Sequence, residues 1–579
     1  MSDSSGKEFE TFLLIVIIIL AGLSFVLWIC AWLAVELFGH GAIKPNLIAP
    51  LSALLAHRGD PALAWPATER TDIPSWGAYW GTTVLVVVVL SAVVSLVIHI
   101  WTKRHKRGGA MPHVVDYQSI RKDILGAHSW RAVQHSGQRL RGEDVSSQRG
   151  LFVRRPKMNE YGILLGYAPE YKMDIFANFE DSFLVLGPPR SGKSTSLIIP
   201  MLLDAPGPVV TTSTRADVLK ETIETVQRQG RPVYVFDPQN LTRGTYPTLR
   251  WDPIAGCEDT EIATRRTSAL VAGIKMGEDN QFWVQQANSF IRCLLYAAAL
   301  DKQSISSVLG WVQHPGEQTP ISILSSYPNV SQEWLESLIA IQKQPGNTVG
   351  STYAVSQRAF DAFYNESVRA SCQPLPGEGF SPSQFLQEKG VLYVLGTPTA
   401  TTPIAPLLAC LIQEIVEVAH EQAVMMHNNR INPPLELLLD EAANIAPLPN
   451  LPQLMATGGG SGIIPVVVLQ SMSQAINRWG KAEAETMRDS STIRIVLPGI
   501  SDISTLEELS SLSGEVEVQQ TSDTKGPGGV TTSTLTQSKR RYTPDAIRSL
   551  AKHHALVLPQ RTPPFVVKLI PYWERVGDT

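Results

Sequence analysis

The chain opens with two long runs in which almost no polar residue interrupts the apolar ones. The first is residues 12–38, FLLIVIIILAGLSFVLWICAWLAVELF, with one acidic residue near its end; the second is residues 76–101, where GTTVLVVVVLSAVVSLVI lies between terminal tryptophans. Each is long enough to cross a bilayer as a helix. A cleaved signal peptide does not fit the first run, whose apolar core is too long and whose N-region sets Asp3, Glu8 and Glu10 against Lys7. From 108 to about 180 the pattern is polar and mixed, with GLFVRR, GILLGYAP and YKMDIFA as short strand candidates.

From 182 the pattern changes to short apolar runs alternating with helical periodicity. SFLVLG, PVVTTST (208–214) and RPVYVFDPQ (231–239) read as strands, and ADVLKETIETVQRQG, closed by Gly230, reads as the helix between the last two. Such spacing predicts βαβ units around a parallel sheet. Between about 255 and 385 the strand signal disappears and helical segments such as QFWVQQANSFIRCLLYAAAL take over, which predicts an all-α insertion. Strands resume at 390–396, 435–441, 463–470 and 492–499, with a helix over 404–425. Residues 521–539, TSDTKGPGGVTTSTLTQSK, read as a flexible loop or an exposed hairpin. The expected organisation is an anchor over 1–107, an α/β nucleotide-binding domain in two parts, 108–254 and 386–579, and the insertion at 255–385 between them.

Charge adds an orientation. Lys103, Arg104, Lys106 and Arg107 follow the second run directly, while the loop from 39 to 75 balances its charges. Positive-inside bias then places everything after residue 102, and the N-terminus, in the cytoplasm. The 579 residues are 44% hydrophobic with a net charge of −4, so nucleic-acid contact would have to use local patches or a lined channel. Five scattered cysteines without C-x-x-C spacing argue against a disulfide framework or a zinc site.

The candidate chemistry starts at GPPRSGKS, a G-x-x-x-x-G-K-[ST] match between a predicted strand and a predicted helix. Gly187, Pro188, Pro189, Arg190, Ser191, Gly192, Lys193, Ser194 and Thr195 form a loop whose backbone N–H groups can cradle phosphates. Lys193 would reach the β- and γ-phosphates and Ser194 would offer its hydroxyl to Mg²⁺. The ligands this predicts are ATP and Mg²⁺. In LELLLDEAAN, Asp440 and Glu441 sit at a strand tip, where the first can hold Mg²⁺ and the second can polarise the attacking water. Gln470 ends the next strand, where its amide can sense the γ-phosphate.

Taken in order, the two apolar runs, the basic stretch, GPPRSGKS, VVTTSTRADV, the QFWVQQANSFIRCLLYAAA helix, LLLDEAANIAPLPNLPQLMATGGGSGI and VVVLQSMSQ resemble the TraG/TraD-type coupling proteins of conjugation and type IV secretion. The resemblance spans about residues 10 to 570. It implies a RecA-like P-loop ATPase, multi-pass in the cytoplasmic (inner) membrane and hexameric. Such a protein receives a relaxase–single-stranded DNA substrate and delivers it, or a protein, to a secretion channel. The insertion would then carry partner contacts, with Arg265, Arg266, Lys275 and Lys343 as candidate basic positions. One departure stands out: many relatives carry a trans-acting arginine between the two carboxylates and the glutamine, whereas here that stretch reads TGGGSG, with Gly458, Gly459 and Gly460. Arg494, a charge within an apolar strand, is the nominated substitute, while Arg478 and Arg488 read as solvated helix residues. A chromosome-segregation translocase would bring more membrane helices and a winged-helix DNA reader. An ABC-type export ATPase would bring an LSGGQ-like signature, and a non-hydrolysing scaffold would not need both carboxylates.

Overall fold

The computed structural model describes residues 24–38, 48–105, 117–141, 158–272, 281–314, 316–328, 330–397, 403–526 and 529–575. The chain divides into two compact units, Met1–His113 and Val114–Thr579.

In the first unit, residues 24–38 are helical and Trp76–His105 forms one 30-residue helix covering the second predicted run. Between them Ala49–Leu55 adds a short helix, and Ala31, Val35, Ala53, Trp65 and Tyr79 close a small core. The carbonyl of Arg58 accepts the indole N–H of both Trp76 (2.8 Å) and Trp80 (3.0 Å), which ties the connecting segment to the start of the long helix. The first predicted span before residue 24 lies outside the described residues, as do most side chains of the second beyond Val89. Among the described residues no helix is long and apolar enough to cross a membrane.

The second unit is built on one eleven-stranded sheet. Its strands in chain order are β1 (Ile163–Ala168), β2 (Met173–Ala177), β3 (Phe183–Leu186), β4 (Val209–Ser213), β5 (Val233–Phe236), β6 (Val391–Leu395), β7 (Leu435–Leu439), β8 (Ile463–Leu469), β9 (Ile493–Val496), β12 (His554–Pro559) and β13 (Phe565–Lys568). The spatial order is β2-β1-β13-β12-β9-β3-β8-β7-β4-β6-β5. The half from β9 to β5 is parallel throughout, and β12, β13, β1 and β2 continue it antiparallel. This is a mixed α/β fold with a large parallel sheet of the P-loop NTPase kind. Strands such as FLVL and VVTTS are buried at every position because helices cover both faces of a parallel sheet. GILLGYAP and YKMDIFA supply β1 and β2, whereas GLFVRR lies outside the described residues.

One face is closed by the segment after the phosphate loop and by the helix Asp217–Arg228, whose Leu219 and Val226 share a core with Val185 and Val468. The other is closed by the helices between β5 and β6, whose Phe290, Phe360 and Phe385 pack in one cluster with Leu184, Phe236 and Leu392. From Thr260–Ala272 to Pro382–Gln387 every named element of that stretch is helical. Arg266, nominated from sequence as a contact position, is instead buried within it. Its guanidinium pairs with Glu414 at 2.9 Å, donates to the Pro253 carbonyl at 3.0 Å and lies over the Trp251 ring. A charge so placed clamps the helix Thr260–Ala272 onto the helix Ala405–Met425 and leaves nothing to offer a partner. Arg265 is paired with Glu261 and Glu421, Lys343 is exposed, and Lys275 lies outside the described residues.

The segment expected as a loop or hairpin is a hairpin, and a longer one. β10 (Glu515–Gly526) and β11 (Gly529–Arg540) pair in register as a separate two-stranded sheet.

Candidate nucleotide site

Chain geometry at the end of β3 is set by two glycines. A Cβ on Gly187 would stand 2.8 Å from both a Leu497 methyl and the Ser191 hydroxyl, and Gly192 takes φ +90°, which a side chain disfavours. The Gly187 N–H donates to the Leu469 carbonyl at 3.0 Å, so the loop starts locked to the end of β8. Pro189 and Arg190 are exposed at its crest. Lys193 is buried, and its ammonium donates to the carbonyls of Gly187 (3.0 Å) and Pro188 (3.2 Å), which hold the charge inside the loop. Ser194–Ile198 then makes a π-type turn that continues into the helix Ile199–Asp204. The Ser191 hydroxyl is buried without a hydrogen-bond partner among the described residues, the kind of donor a phosphate oxygen would satisfy.

The carboxylates arrive from β7, two strands away, with β8 between. Asp440 is buried beside Lys193, with the Ser194 hydroxyl near enough to favour its charged form, so the two residues expected to share a metal stand near one another. Burial pushes its carboxyl up to about 6; the Lys193 charge opposes that rise and Glu441 adds to it. The backbone of Asp440 is fixed by the Thr212 hydroxyl, which donates to its carbonyl at 2.8 Å. Glu441 takes the left-handed conformation, φ +51°, and turns the chain sharply from strand into the short helix Ala442–Ile445. A non-glycine residue there marks stored strain of the kind found at functional sites. Its N–H donates back to Asp440 Oδ1 at 3.1 Å. Gln470 follows β8, between the phosphate loop and the carboxylates, with its own N–H capped by Gln474 Oε1 at 2.9 Å. A donor set of one lysine, one hydroxyl and two carboxylates at the carboxyl edge of a parallel sheet fits a nucleotide triphosphate with Mg²⁺.

The arginines fall differently from expectation. Arg494 lies mid-strand, level with Leu184, and its charge meets Glu508 of the same chain at 3.7 Å, so the argument that sent it to a neighbour for a partner no longer holds. Arg488 pairs with Asp489 and with that same Glu508. Arg478 is half-buried and not a solvated helix residue, and burial brings its guanidinium down to about 10. Gly458, Gly459 and Gly460 belong to the helix Leu451–Ser461, and the first two are required by close packing. A Cβ on Gly459 would stand 2.1 Å from the Glu180 carbonyl and one on Gly458 would stand 2.8 Å from that of Ile463. Both contacts lie at the end of the sheet where β3 and β8 begin, opposite the phosphate loop.

Sequence reasoning missed Glu436 and Arg430. Glu436 reads as an ordinary alternating polar position in LELLL, yet it is buried near Arg231, and burial raises its carboxyl to about 8. Arg430 is buried and donates to the carbonyls of Gly459 and Phe179.

Residues 148–577 match the family model described as "Type IV secretory system Conjugative DNA transfer". The chain is 20% identical over 402 residues to Protein VirD4 of Rhizobium radiobacter, covering 67% of this chain and 56% of that protein. Against Protein VirD4 of Rhizobium rhizogenes it is 20% identical over 403 residues, covering 67% and 58%. The match thus spans little more than half the length of these curated relatives. Among solved structures, the bacterial conjugative coupling protein TrwBdeltaN70 in its unbound monoclinic form superposes with a TM-score of 0.50 at 20% identity, covering 68% of this chain and 85% of that one. Its trigonal form in complex with sulphate gives 0.51 at 20% identity, covering 68% and 86%. With that family model covering residues 148–577, most of its length, this chain belongs to the conjugative DNA transfer family of type IV secretory systems.

Proposed function

We propose that the protein is a membrane-anchored ATPase of the coupling type, which passes a single-stranded DNA–relaxase complex, or a protein, to a type IV secretion channel. The observation that carries this reading is the buried Asp440 carboxylate brought to the buried Lys193 and to Ser194 at the carboxyl edge of the sheet. Mg²⁺, when bound, would supply positive charge against that developing on the transferred phosphoryl group. Ser194 and Asp440 would hold it, Lys193 would exchange its loop carbonyls for phosphate oxygens, and Glu441 would take the proton of an attacking water while Gln470 orients it. Anchoring in the cytoplasmic membrane is supported by the sequence, in the apolar runs 12–38 and 76–101 and the Lys103–Arg107 cluster that follows them. Relatives named for conjugative transfer support a DNA substrate and secretion-channel partners, and a homo-hexamer is part of the same proposal.

The test uses residues 114–579, which form a compact unit. Mg²⁺-dependent ATP hydrolysis that single-stranded DNA accelerates is the expected result. Hydrolysis indifferent to DNA would move the reading to protein export, and no hydrolysis at any DNA concentration would overturn it.

A further inference from the structure

The direction in which a nucleotide must lie follows from the strand order. Its γ end has to meet Asp440 and Gln470, which end β7 and β8, and both strands stand on one side of β3. The nucleoside end therefore leaves toward the other side, where β9 and then β12 stand. Because β12 runs antiparallel to β9, with Leu556 opposite Val496 and Pro559 opposite Ile493, its first residues stand at the edge where β3, β8 and β7 end. His553 immediately precedes it, in the left-handed conformation with φ +60°. Its Nδ1 lies 2.7 Å from the Ser196 hydroxyl, in the first turn after the phosphate loop, and 3.7 Å from the point a Cβ on Gly192 would occupy.

Trp573 meets His553 edge to face, with ring centroids 6.0 Å apart. The short helix that carries it is well fixed: the Tyr572 hydroxyl donates to Glu221 at 2.5 Å, and Arg575 pairs with Asp204 and donates to the Leu164 carbonyl. Trp573 nevertheless remains 51% exposed, a rigidly mounted aromatic face without cover beside the outgoing path of the nucleoside. We propose that His553 and Trp573 form the platform on which the base of the bound nucleotide stacks. Aromatic faces accept any flat base, so the platform binds the nucleoside without selecting strongly among bases.

The inference rests on the nucleotide reading of the loop, and two probes separate them: ATP, and inorganic tripolyphosphate, which carries phosphates and no base. In the full-length protein with Mg²⁺, Trp573→Ala and His553→Ala are each expected to weaken ATP binding about tenfold and leave tripolyphosphate binding unchanged, whereas Trp573→Phe is expected to keep ATP affinity near that of the unaltered protein. Unchanged ATP affinity in both alanine variants overturns the platform, and so does an equal loss for both probes, which would mean that the loop itself had been disturbed. Lys193→Ala should weaken both probes together; if it weakens neither, the nucleotide reading fails independently of the platform.

Discussion

Lys193 and Glu441 sit in the same site and should fail in different ways when replaced. Lys193→Ala removes the buried ammonium that its loop carbonyls now hold, so nucleotide binding and turnover should fall together. Glu441→Gln keeps the size and the left-handed turn but removes the base, so ATP should bind normally and turnover should drop by about 10²-fold or more. Equilibrium binding beside steady-state hydrolysis separates the two, and a collapse of affinity in Glu441→Gln would mean that the carboxylates had been assigned in the wrong order. Glu436 supplies a pH-dependent counterpart. Its folded carboxyl titrates near 8 against an ordinary 4.5, so between those values the unfolded chain gives up a proton that the folded chain keeps. Stability attributable to this group is therefore present at low pH and lost as pH rises through that window. Glu436→Gln mimics the protonated form and should raise the thermal midpoint of residues 114–579 by a few degrees at pH 8 while changing little near pH 5; an equal shift at both values would assign the effect to packing. At this scale the motif residues were legible because their chemistry is local to one loop and one strand tip. Glu436, Arg266 and Arg430 were not, because their burial depends on elements far away in sequence.

Among the elements, the parallel strands and the helical stretch between β5 and β6 could be read directly, since apolar runs of four to seven residues against 3.6-residue periodicity separate them. The antiparallel half could not be ordered from sequence: β1 lies against β13 across some 400 residues, and nothing local encodes that pairing. The reason for Gly458 and Gly459 could not be read from sequence on related grounds, since their constraint comes from the Ile463 and Glu180 carbonyls of other elements. This gives a paired prediction within one helix. Gly459→Ala drives a methyl into the Glu180 backbone and should destabilise by about 1–3 kcal/mol. A Cβ on Gly460 meets nothing within 4 Å, so Gly460→Ala should instead stabilise by about 0.5–1 kcal/mol through helix propensity. Denaturant midpoints of the two variants check this, and equal effects would mean that the helix end relaxes freely.

For the whole molecule, the open crest of the phosphate loop is the informative feature. Lys193 and Asp440 are buried, but Pro189 and Arg190 stand in solvent, so a single chain covers the catalytic groups without closing the space where phosphates would lie. Phosphoryl transfer gains from excluding water and from an added positive charge, and a trans arginine is worth on the order of 10³ in rate where one acts. With Arg494 and Arg488 engaged by Glu508, and Arg266 by Glu414, three of the cations in this unit are already used within it. In the proposed assembly a second copy closing the crest would supply both missing parts at once, and turnover would then be a property of the assembly. Specific ATPase activity of residues 114–579 should accordingly fall on dilution and recover on concentration, in step with the assembled fraction measured by sedimentation. Lys193→Ala protein titrated into wild type at fixed total concentration should reduce activity more steeply than its mole fraction. Activity per chain that stays constant across dilution, with inhibition strictly proportional to the mutant fraction, would show that each chain completes its own site.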